Sequence, residues 1–155
     1  MIYWFTGQPG SGKTTLALAL KAALQKRGQP VVHLDGDFLR ELMSNQDFSE
    51  AGRIRNIKTA QRLAAKLESE GIVVVASFVS PYRSIREEFK RKNQVLEIYV
   101  HTTDVRGKEA YFVARFEPPQ QDFVDIDTTR TSVETCVQKI LQAEPPVASP
   151  GRDCG

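Results

Sequence analysis

A glycine-rich loop follows a short apolar segment near the start of this chain of 155 residues. It reads Gly7-Gln8-Pro9-Gly10-Ser11-Gly12-Lys13-Thr14 and fits the pattern G-x-x-x-x-G-K-[ST]. Residues 2–6 before the loop are β-branched and aromatic, as in a buried strand, and leucine recurs at helical spacing after it. A loop of this pattern between a strand and a helix predicts a P-loop that binds the phosphates of a nucleoside triphosphate.

The residue types in the loop match the needs of a bound triphosphate. Glycines let the backbone approach the phosphate oxygens, and the helix N-terminus adds N–H donors and the positive end of the helix dipole. We expect Lys13 to reach the terminal phosphates, with a catalytic role, and the hydroxyl of Thr14 to bind Mg²⁺. The sequence therefore predicts ATP and Mg²⁺ as cofactors.

Strand and helix patterns alternate along the chain, which indicates a parallel sheet covered by crossover helices. The predicted strands are residues 2–6, 31–34, 72–78, 95–100 and 123–126. The predicted helices are 13–27, a short one at 38–43, one from the cap Ser49 to 70, one opened by Ser80-Pro81, and one that starts in the capping box Thr131-Ser132-Val133-Glu134 and ends near 142. We predict an α/β fold, a P-loop NTPase-type three-layer sandwich with about five parallel strands and helices on both faces.

The chain length allows one domain, which we assign to residues 1–142. Within it, residues 102–121 have mixed polarity and no clean period, so we predict a lid or loop there, which we call the lid. Residues 143–155 are small residues and prolines, which predicts a disordered tail.

Composition narrows the compartment and the partners. The net charge of +2 gives little electrostatic footprint for nucleic acid, and the basic residues Arg83, Arg86, Lys90, Arg91 and Lys92 are expected to form the solvated face of a helix. No apolar run approaches the roughly 18 residues of a membrane span, and no signal sequence is visible. The two cysteines offer no disulfide framework. We therefore expect a cytoplasmic protein with neither a membrane nor a nucleic-acid partner.

Two carboxylates, Asp35 and Asp37, follow the second predicted strand. The carboxyl ends of parallel strands meet at one edge of the sheet, so these residues should lie beside the P-loop. They can hold Mg²⁺ through water and accept the proton of an attacking hydroxyl, and the pattern does not tell which aspartate has which role. The alternative is an aspartate that only caps the next short helix.

Arg40, Arg53, Asn56 and Arg83 lie in segments that lead away from the predicted strand ends. Arginine binds phosphate or sulfate with paired hydrogen bonds, so together these residues predict an anionic acceptor substrate. Phe48 beside them is a candidate for stacking on a base.

Four ordered blocks of the chain resemble the adenylylsulfate (APS) kinases, which transfer the γ-phosphate of MgATP to the 3'-hydroxyl of adenosine 5'-phosphosulfate. The blocks are G-Q-P-G-S-G-K-T-T at 7–15, L-D-G-D-F-L-R at 34–40, F-S-E-A-G-R-I-R-N-I at 48–57 and S-F-V-S-P-Y-R at 77–83. They cover about the first two thirds of the chain.

The resemblance implies roles for particular residues. It implies that Arg40, Phe48, Arg53 and Asn56 contact the adenylylsulfate, together with Pro81 and Arg83 of the last block. It also implies that ATP is bound by the loop through Thr15 and by Thr128, because Ile126-Asp127-Thr128-Thr129 is similar to the family's path past the adenine.

Ser80 corresponds to a serine that is often regarded as a phosphorylated catalytic intermediate in that family. Direct in-line transfer from ATP to a bound hydroxyl requires no covalent step, and Ser80 before Pro81 is explained equally well as a helix cap. Both interpretations of Ser80 stay open at this point.

The lid departs from the family pattern. Typical members carry an arginine–aspartate pair, K-G-L-Y-K-K-A-R and F-T-G in a longer lid that stacks on the substrate base and clamps ATP. Here Thr103 stands where the arginine is expected, no F-T-G occurs, and Asp104, Arg106, Gly107 and Tyr111 are what remains. Because a trimmed lid removes contacts that set acceptor identity, kinase activity is better supported than the acceptor.

The leading hypothesis is therefore a small-molecule kinase that phosphorylates adenosine 5'-phosphosulfate, with a role in sulfate assimilation. The alternative is a related P-loop kinase acting on another nucleotide-linked or small hydroxyl acceptor, such as a nucleoside diphosphoramidate or a sugar. A nucleotide-dependent switch or ATPase subunit is a third hypothesis, disfavoured as a GTPase because no N-K-x-D occurs. Dimers are usual in the resembling family, which suggests a homodimer.

Overall fold

Five parallel strands form one sheet at the centre of the protein. The computed structural model describes residues 1–44 and 46–143. The strands are β1 (Ile2–Thr6), β2 (Val31–Asp35), β3 (Val73–Ser77), β4 (Val95–His101) and β5 (Phe123–Asp127), in the spatial order β2-β3-β1-β4-β5. The predicted α/β class and the parallel sheet are confirmed.

Helices cover both faces of this sheet, as the sequence predicts. Their bounds are α1 (Lys13–Lys26), α2 (Gly36–Leu42), α3 (Glu50–Ser69), α4 (Arg83–Lys92) and α5 (Val133–Gln142). On one face Tyr3 and Phe5 pack against the buried leucines of α1 and against α5. On the other face Trp4 packs with α3 and with Phe89 of α4, and α2 adds Leu39. The sheet is therefore the middle layer of three.

β1 is the central strand and positions the functional end of the sheet. All five of its residues are buried, and it pairs in parallel with β3 and β4, so that Trp4 lies between Ala76 and Glu97. β2 pairs with β3 in a register that sets Asp35 opposite Ser77. This pairing brings the carboxyl ends of β1, β2 and β3 to one edge, where substrates bind in sheets of this kind.

The start of α4 differs from the prediction that Ser80-Pro81 opens it. α4 begins at Arg83 after the N-cap position Tyr82, and Ser80 has a left-handed backbone with φ 43°. The hydroxyl of Ser80 accepts a hydrogen bond from Trp4 Nε1 at 3.1 Å and does not cap the helix. A distant tertiary contact therefore overrides the local capping signal.

The N-termini of α3 and α5 follow side-chain caps. Ser49 caps α3 as predicted, and its hydroxyl accepts from the amide of Gly52 at 3.2 Å. For α5 the predicted capping box is displaced by one residue, because Ser132 and not Thr131 is the N-cap and accepts from the amide of Thr135 at 3.1 Å.

The basic cluster of α4 is only partly solvated, which corrects the prediction for two of its members. Arg91 and Lys92 are exposed, whereas Arg86 is 2% exposed. Arg86 Nε donates to Glu97 Oε2 at 2.7 Å, and Lys90 Nζ donates to Glu97 Oε1 at 2.8 Å. Removing one partner of such a buried pair leaves an uncompensated charge, at a cost of about 3–5 kcal/mol.

The last described helix, α5, ends next to the last described residue. Ala143 is the C-cap residue of α5, and the rest of the predicted tail, with Cys154, lies outside the described residues. Cys136 is buried on α5. None of the described helices is long and apolar enough to span a membrane.

Candidate functional site

A cavity of about 780 Å³ opens at the carboxyl ends of β1, β2 and β3. Its wall brings together most of the side chains that the sequence predicts to act on substrates. These are Pro9, Gly10, Lys13 and Thr14 of the P-loop, Asp35 and Asp37, the group Arg40, Phe48, Arg53 and Asn56, and Ser80 with Pro81. Residues far apart in sequence therefore face one cavity.

Other predicted site residues lie around the cavity without lining it. Gly7, Gln8, Ser11 and Gly12 complete the P-loop backbone, and Thr15 lies on the first turn of α1. Thr128 Oγ1 donates to the carbonyl of Ser11 at 2.6 Å, on the side of the loop away from β2 and β3. The structure does not bring Arg83 to the cavity, because its Nε donates to the carbonyl of Pro118 at 2.8 Å.

The P-loop has the shape of an anion cradle. Gly10 and Gly12 have φ values of 81° and 106°, which residues with a Cβ rarely adopt. Gly12 is the N-cap of α1 and offers no side-chain cap, so the first amides of the helix are left for a ligand. A Cβ on Gly10 would lie 2.8 Å from Lys108 Cβ, so the glycine also allows the lid to approach the loop.

Lys13 extends back along the loop, and its Nζ donates to the carbonyl of Gln8 at 2.9 Å. Burial lowers the pKa of Lys13 to about 8, although Asp37 and, to a smaller extent, Asp35 act to raise it. Near neutral pH the Lys13 side chain therefore loses its proton more readily than that of an exposed lysine. A bound phosphate would restore the full charge.

Asp35 and Asp37 flank the start of α2. Asp35 is at the N-cap position, but its side chain makes no capping bond, which contradicts the interpretation of Asp35 as a helix cap. Both carboxylates and the Thr14 hydroxyl line the cavity, and these oxygen donors suit Mg²⁺. Within the described ranges no three His, Cys, Asp or Glu side chains form a metal site by themselves. One or two carboxylates suffice for Mg²⁺ that also binds substrate phosphates.

Two guanidinium groups and a buried amide form another part of the cavity wall. Burial and, next in size, the nearby Arg53 lower the pKa of Arg40, while Asp37 and Asp47 act in the other direction. The two positively charged arginines thus repel each other, and a bound anion would relieve this repulsion. Asn56 is 3% exposed, and its Oδ1 has no hydrogen-bond partner in the described part of the chain. A buried acceptor of this kind calls for a donor on a bound molecule.

Phe48 stands on a short loop between α2 and α3. Its ring is 59% exposed, and the guanidinium carbon of Arg40 lies 4.4 Å from the ring centroid. Arg40 Nη1 also donates to the carbonyl of Asp47 at 3.0 Å. The loop rests on Gly52, where a Cβ would lie only 2.3 Å from the Asp47 carbonyl oxygen. Gly52 therefore sets the positions of both Phe48 and Arg40.

The lid supplies cavity residues that the sequence analysis did not identify. It carries one 3₁₀ turn, Glu109–Tyr111, and lines the cavity with Lys108, Ala110, Tyr111, Phe112 and Val113. Of these, only Tyr111 was predicted, as a remnant of the family lid. Lys108 and the apolar residues beside it have no periodic pattern that would have marked them as functional.

Side-chain and backbone bonds hold the lid against the P-loop. Gln8 Nε2 donates to the carbonyl of Val113, and Gln8 Oε1 accepts from the amide of Val113, both at 2.8 Å. Arg106 Nη1 donates to the carbonyl of Ser11 at 3.1 Å, and its Nη2 donates to that of Thr128 at 3.1 Å. The lid therefore closes one side of the cavity in this structure.

Comparisons with known proteins identify one family. A family model described as adenylylsulphate kinase matches residues 1–110. The chain is 35% identical to the adenylyl-sulfate kinase of Prochlorococcus marinus, over 91% of this chain and 81% of that protein.

Two solved structures are similar to the whole described fold. The APS kinase CysC of Mycobacterium tuberculosis, solved in complex with AMPPNP and APS, has a TM-score of 0.81 at 23% identity over 92% of this chain and 95% of that one, a likeness of fold. The hexameric APS kinase of Thiobacillus denitrificans has a TM-score of 0.76 at 30% identity and covers 92% of this chain and 28% of that one.

The shifted pKa of Lys13 predicts that MgATP affinity depends on pH. Phosphate binds the ammonium form, so affinity should be full below the pKa of about 8 and decline above it. Calorimetry between pH 7 and 9 should show weakening of about tenfold, with proton uptake on binding near pH 8. Lys13→Arg is the control, because its side chain stays protonated and its affinity should not follow this trend. An unchanged wild-type affinity across this range would contradict the assignment.

The close approach at Gly52 predicts that Gly52→Ala selectively weakens acceptor binding. The new Cβ would push against Asp47 and move Arg40 and Phe48, whereas the P-loop is untouched. The Michaelis constant for the acceptor should rise by about tenfold or more, with that for ATP unchanged. Lys58→Ala, at an exposed position on the same helix, should change neither constant. Equal changes in both constants for Gly52→Ala would argue against this role.

Proposed function

Because this chain belongs to the adenylylsulphate kinase family, we propose that it transfers the γ-phosphate of MgATP to the 3'-hydroxyl of adenosine 5'-phosphosulfate. One observation carries the proposal: a single cavity joins the P-loop and two aspartates to a wall that contains two arginines and an unpaired buried amide oxygen. The first half suits a triphosphate donor and the second an anionic acceptor. The product would enter sulfate assimilation.

The donor side is assigned to the P-loop and its neighbours. The loop through Thr15 would bind the phosphates, and Thr128 would lie near the adenine. Lys13 would hold the terminal phosphates with its positive charge, and Thr14 with the two aspartates would hold Mg²⁺. Mg²⁺, when bound, neutralises the charge that develops on the transferred phosphate.

The acceptor side is assigned to the part of the wall that contains the two arginines. Arg40 and Arg53 would bind the phosphosulfate, since the cavity places two mutually repelling guanidinium groups together. The unpaired Oδ1 of Asn56 would accept a hydrogen bond from an amino or hydroxyl group of the nucleotide. Phe48 would stack on the base and Pro81 would contact the substrate, whereas the position of Arg83 makes its proposed contact indirect, through the lid.

The transfer needs one base and no covalent intermediate. The acceptor oxygen forms a bond to the γ-phosphorus while the bond from that phosphorus to the β–γ bridging oxygen breaks, and an aspartate takes the hydroxyl proton. Asp35 and Asp37 are both candidates for this base, because both line the cavity beside Lys13. Ser80 then has a structural role, since its hydroxyl accepts a hydrogen bond from Trp4 Nε1.

The test is a product assay with purified protein, MgATP and a panel of acceptors. Adenosine 5'-phosphosulfate should give ADP and a 3'-phosphorylated product in equal amounts, identified by mass spectrometry. Other nucleotide-linked and sugar hydroxyls should react far more slowly. ADP formation that is the same with and without adenosine 5'-phosphosulfate would refute the proposal and indicate an ATPase, and a faster reaction with another acceptor would assign the kinase to that substrate.

Exchanging the carboxylates for amides should lower turnover. Asp35→Asn and Asp37→Asn should each reduce kcat by about two orders of magnitude, because an amide can neither take a proton nor hold Mg²⁺ as a carboxylate does. Steady-state assays at saturating MgATP measure the effect. Asp122→Asn is the matched control, because Asp122 lies outside the cavity in a left-handed turn that asparagine also adopts. Near-normal turnover in both variants would rule out the base and metal roles.

The assembly and compartment form part of the same proposal. We propose a homodimer, since symmetric dimers are usual in the resembling family and the commonest closed oligomers. Light scattering should then give twice the chain mass of 17.4 kDa. The cytoplasm, where ATP is abundant, is the proposed compartment.

A further inference from the structure

Arg86 is a fully buried arginine at the junction of three segments, and the proposed mechanism gives it no role. It is 2% exposed on α4, and its Nε donates to Glu97 Oε2 of β4 at 2.7 Å. Its Nη1 donates to the carbonyl of Ser80, and its Nη2 donates to the carbonyl of Glu117 in the lid. One guanidinium group thus binds β4, the lid and residues 79–81, which we call the acceptor loop.

The acceptor loop lines the cavity and is held in an uncommon backbone conformation. Ser80 has φ 43°, which costs energy for a residue with a Cβ and persists only when its surroundings fix it. Thr6 Oγ1 donates to the carbonyl of Val79 at 2.7 Å, and Trp4 Nε1 donates to the Ser80 hydroxyl at 3.1 Å. Arg86 supplies the remaining strong contact, to the Ser80 carbonyl.

The lid is joined to the acceptor loop at the same place. The amide of Glu117 donates to the carbonyl of Pro81 at 3.0 Å, and the amide of Arg83 donates to Glu117 Oε1 at 2.9 Å. The guanidinium carbon of Arg86 also lies 5.6 Å from the ring centroid of Phe116. This end of the lid therefore depends on contacts with α4 and the acceptor loop, whereas its other end is bound to the P-loop.

We infer that Arg86 is a positioning residue that couples the acceptor loop to the lid and so fixes the acceptor half of the cavity. A guanidinium group is planar and rigid, so its bond to Glu97 sets the directions of its two other bonds. Displacement of the Ser80 carbonyl or of the Glu117 carbonyl then disturbs the other contact. The kinetic part of this inference rests on the proposed function; the structural coupling does not.

The inference separates the two substrates. The P-loop side of the lid is held by Gln8 and Arg106, neither of which contacts Arg86, so loss of Arg86 should leave ATP binding intact. The acceptor loop and the lid both line the cavity in which the acceptor is proposed to bind, so acceptor binding should weaken. A residue that only stabilised the fold would not produce this difference.

Arg86→Lys is the central variant. Lysine keeps the charge beside Glu97 but cannot reach both carbonyl groups, so the Michaelis constant for adenosine 5'-phosphosulfate should rise by about tenfold with that for ATP unchanged. Lys90→Gln is the matched control, since Lys90 shares Glu97 and bonds to the carbonyls of Gln121 and Asp122 next to β5, but contacts neither Ser80 nor Glu117. It should lower the melting temperature without changing either Michaelis constant.

Two measurements need no acceptor and therefore remain informative if the proposed function is wrong. Hydrogen exchange at the amide of Arg83, which bonds to Glu117 Oε1, should become faster in Arg86→Lys and not in Lys90→Gln. Hydrogen exchange at the amide of Glu117, which bonds to Pro81, should become faster only in Arg86→Lys. These measurements test the coupling even if adenosine 5'-phosphosulfate is not the acceptor.

A second variant covers the case in which Arg86→Lys does not fold. The double substitution Arg86→Met with Glu97→Gln removes the charges of Arg86 and Glu97 together, while Lys90 keeps Glu87 as an ion-pair partner. It should fold, yet with the same rise in the acceptor constant and the same fast exchange. Unchanged exchange at both amides in a folded variant would overturn the inference. So would equal increases in both Michaelis constants, which would assign Arg86 a purely structural role.

Discussion

Burial of the central strand β1 is the constraint on which both halves of the site depend. Its main chain pairs on both sides, and its last residue, Thr6, leads directly into the P-loop. Two of its side chains, Trp4 and Thr6, reach the acceptor loop between β3 and α4. The donor and acceptor regions thus share one rigid origin. In-line transfer needs such mutual positioning, because misplacement by about 1 Å can cost two orders of magnitude in rate.

The positively charged side chains of the cavity lie in two regions, and a bound anion would stabilise each of them. Lys13 is held in a buried position that lowers its pKa, and Arg40 and Arg53 repel each other. Such groups carry a desolvation or repulsion cost that the rest of the fold must offset. Asn56 adds an unpaired acceptor in the same wall. These costly features are the ones that an anionic nucleotide would stabilise.

The sequence predicts those parts of the structure whose causes are local. The P-loop motif and the strand and helix periods predict the sheet, and Ser49 caps α3 where expected. The buried state of Arg86 was not predictable, because its partner Glu97 lies on a strand and a charged residue is ordinarily expected in water. The predicted start of α4 was wrong for a similar reason, since Ser80 bonds to Trp4, 76 residues away. Local patterns carry no information about such long-range partners.

The attachment of the lid to the P-loop uses the amide and carbonyl of Val113, and its attachment to α4 uses the carbonyls of Glu117 and Pro118. Every residue type except proline presents both an amide and a carbonyl, so the side chains at positions 113 and 118 are not constrained by these bonds, whereas those of Arg106 and Glu117 are, because they bond to Ser11 and Arg83. Substitution within the lid can therefore change what the cavity recognises while its docking is preserved. Such main-chain anchoring separates the evolution of specificity in the lid from that of the catalytic scaffold.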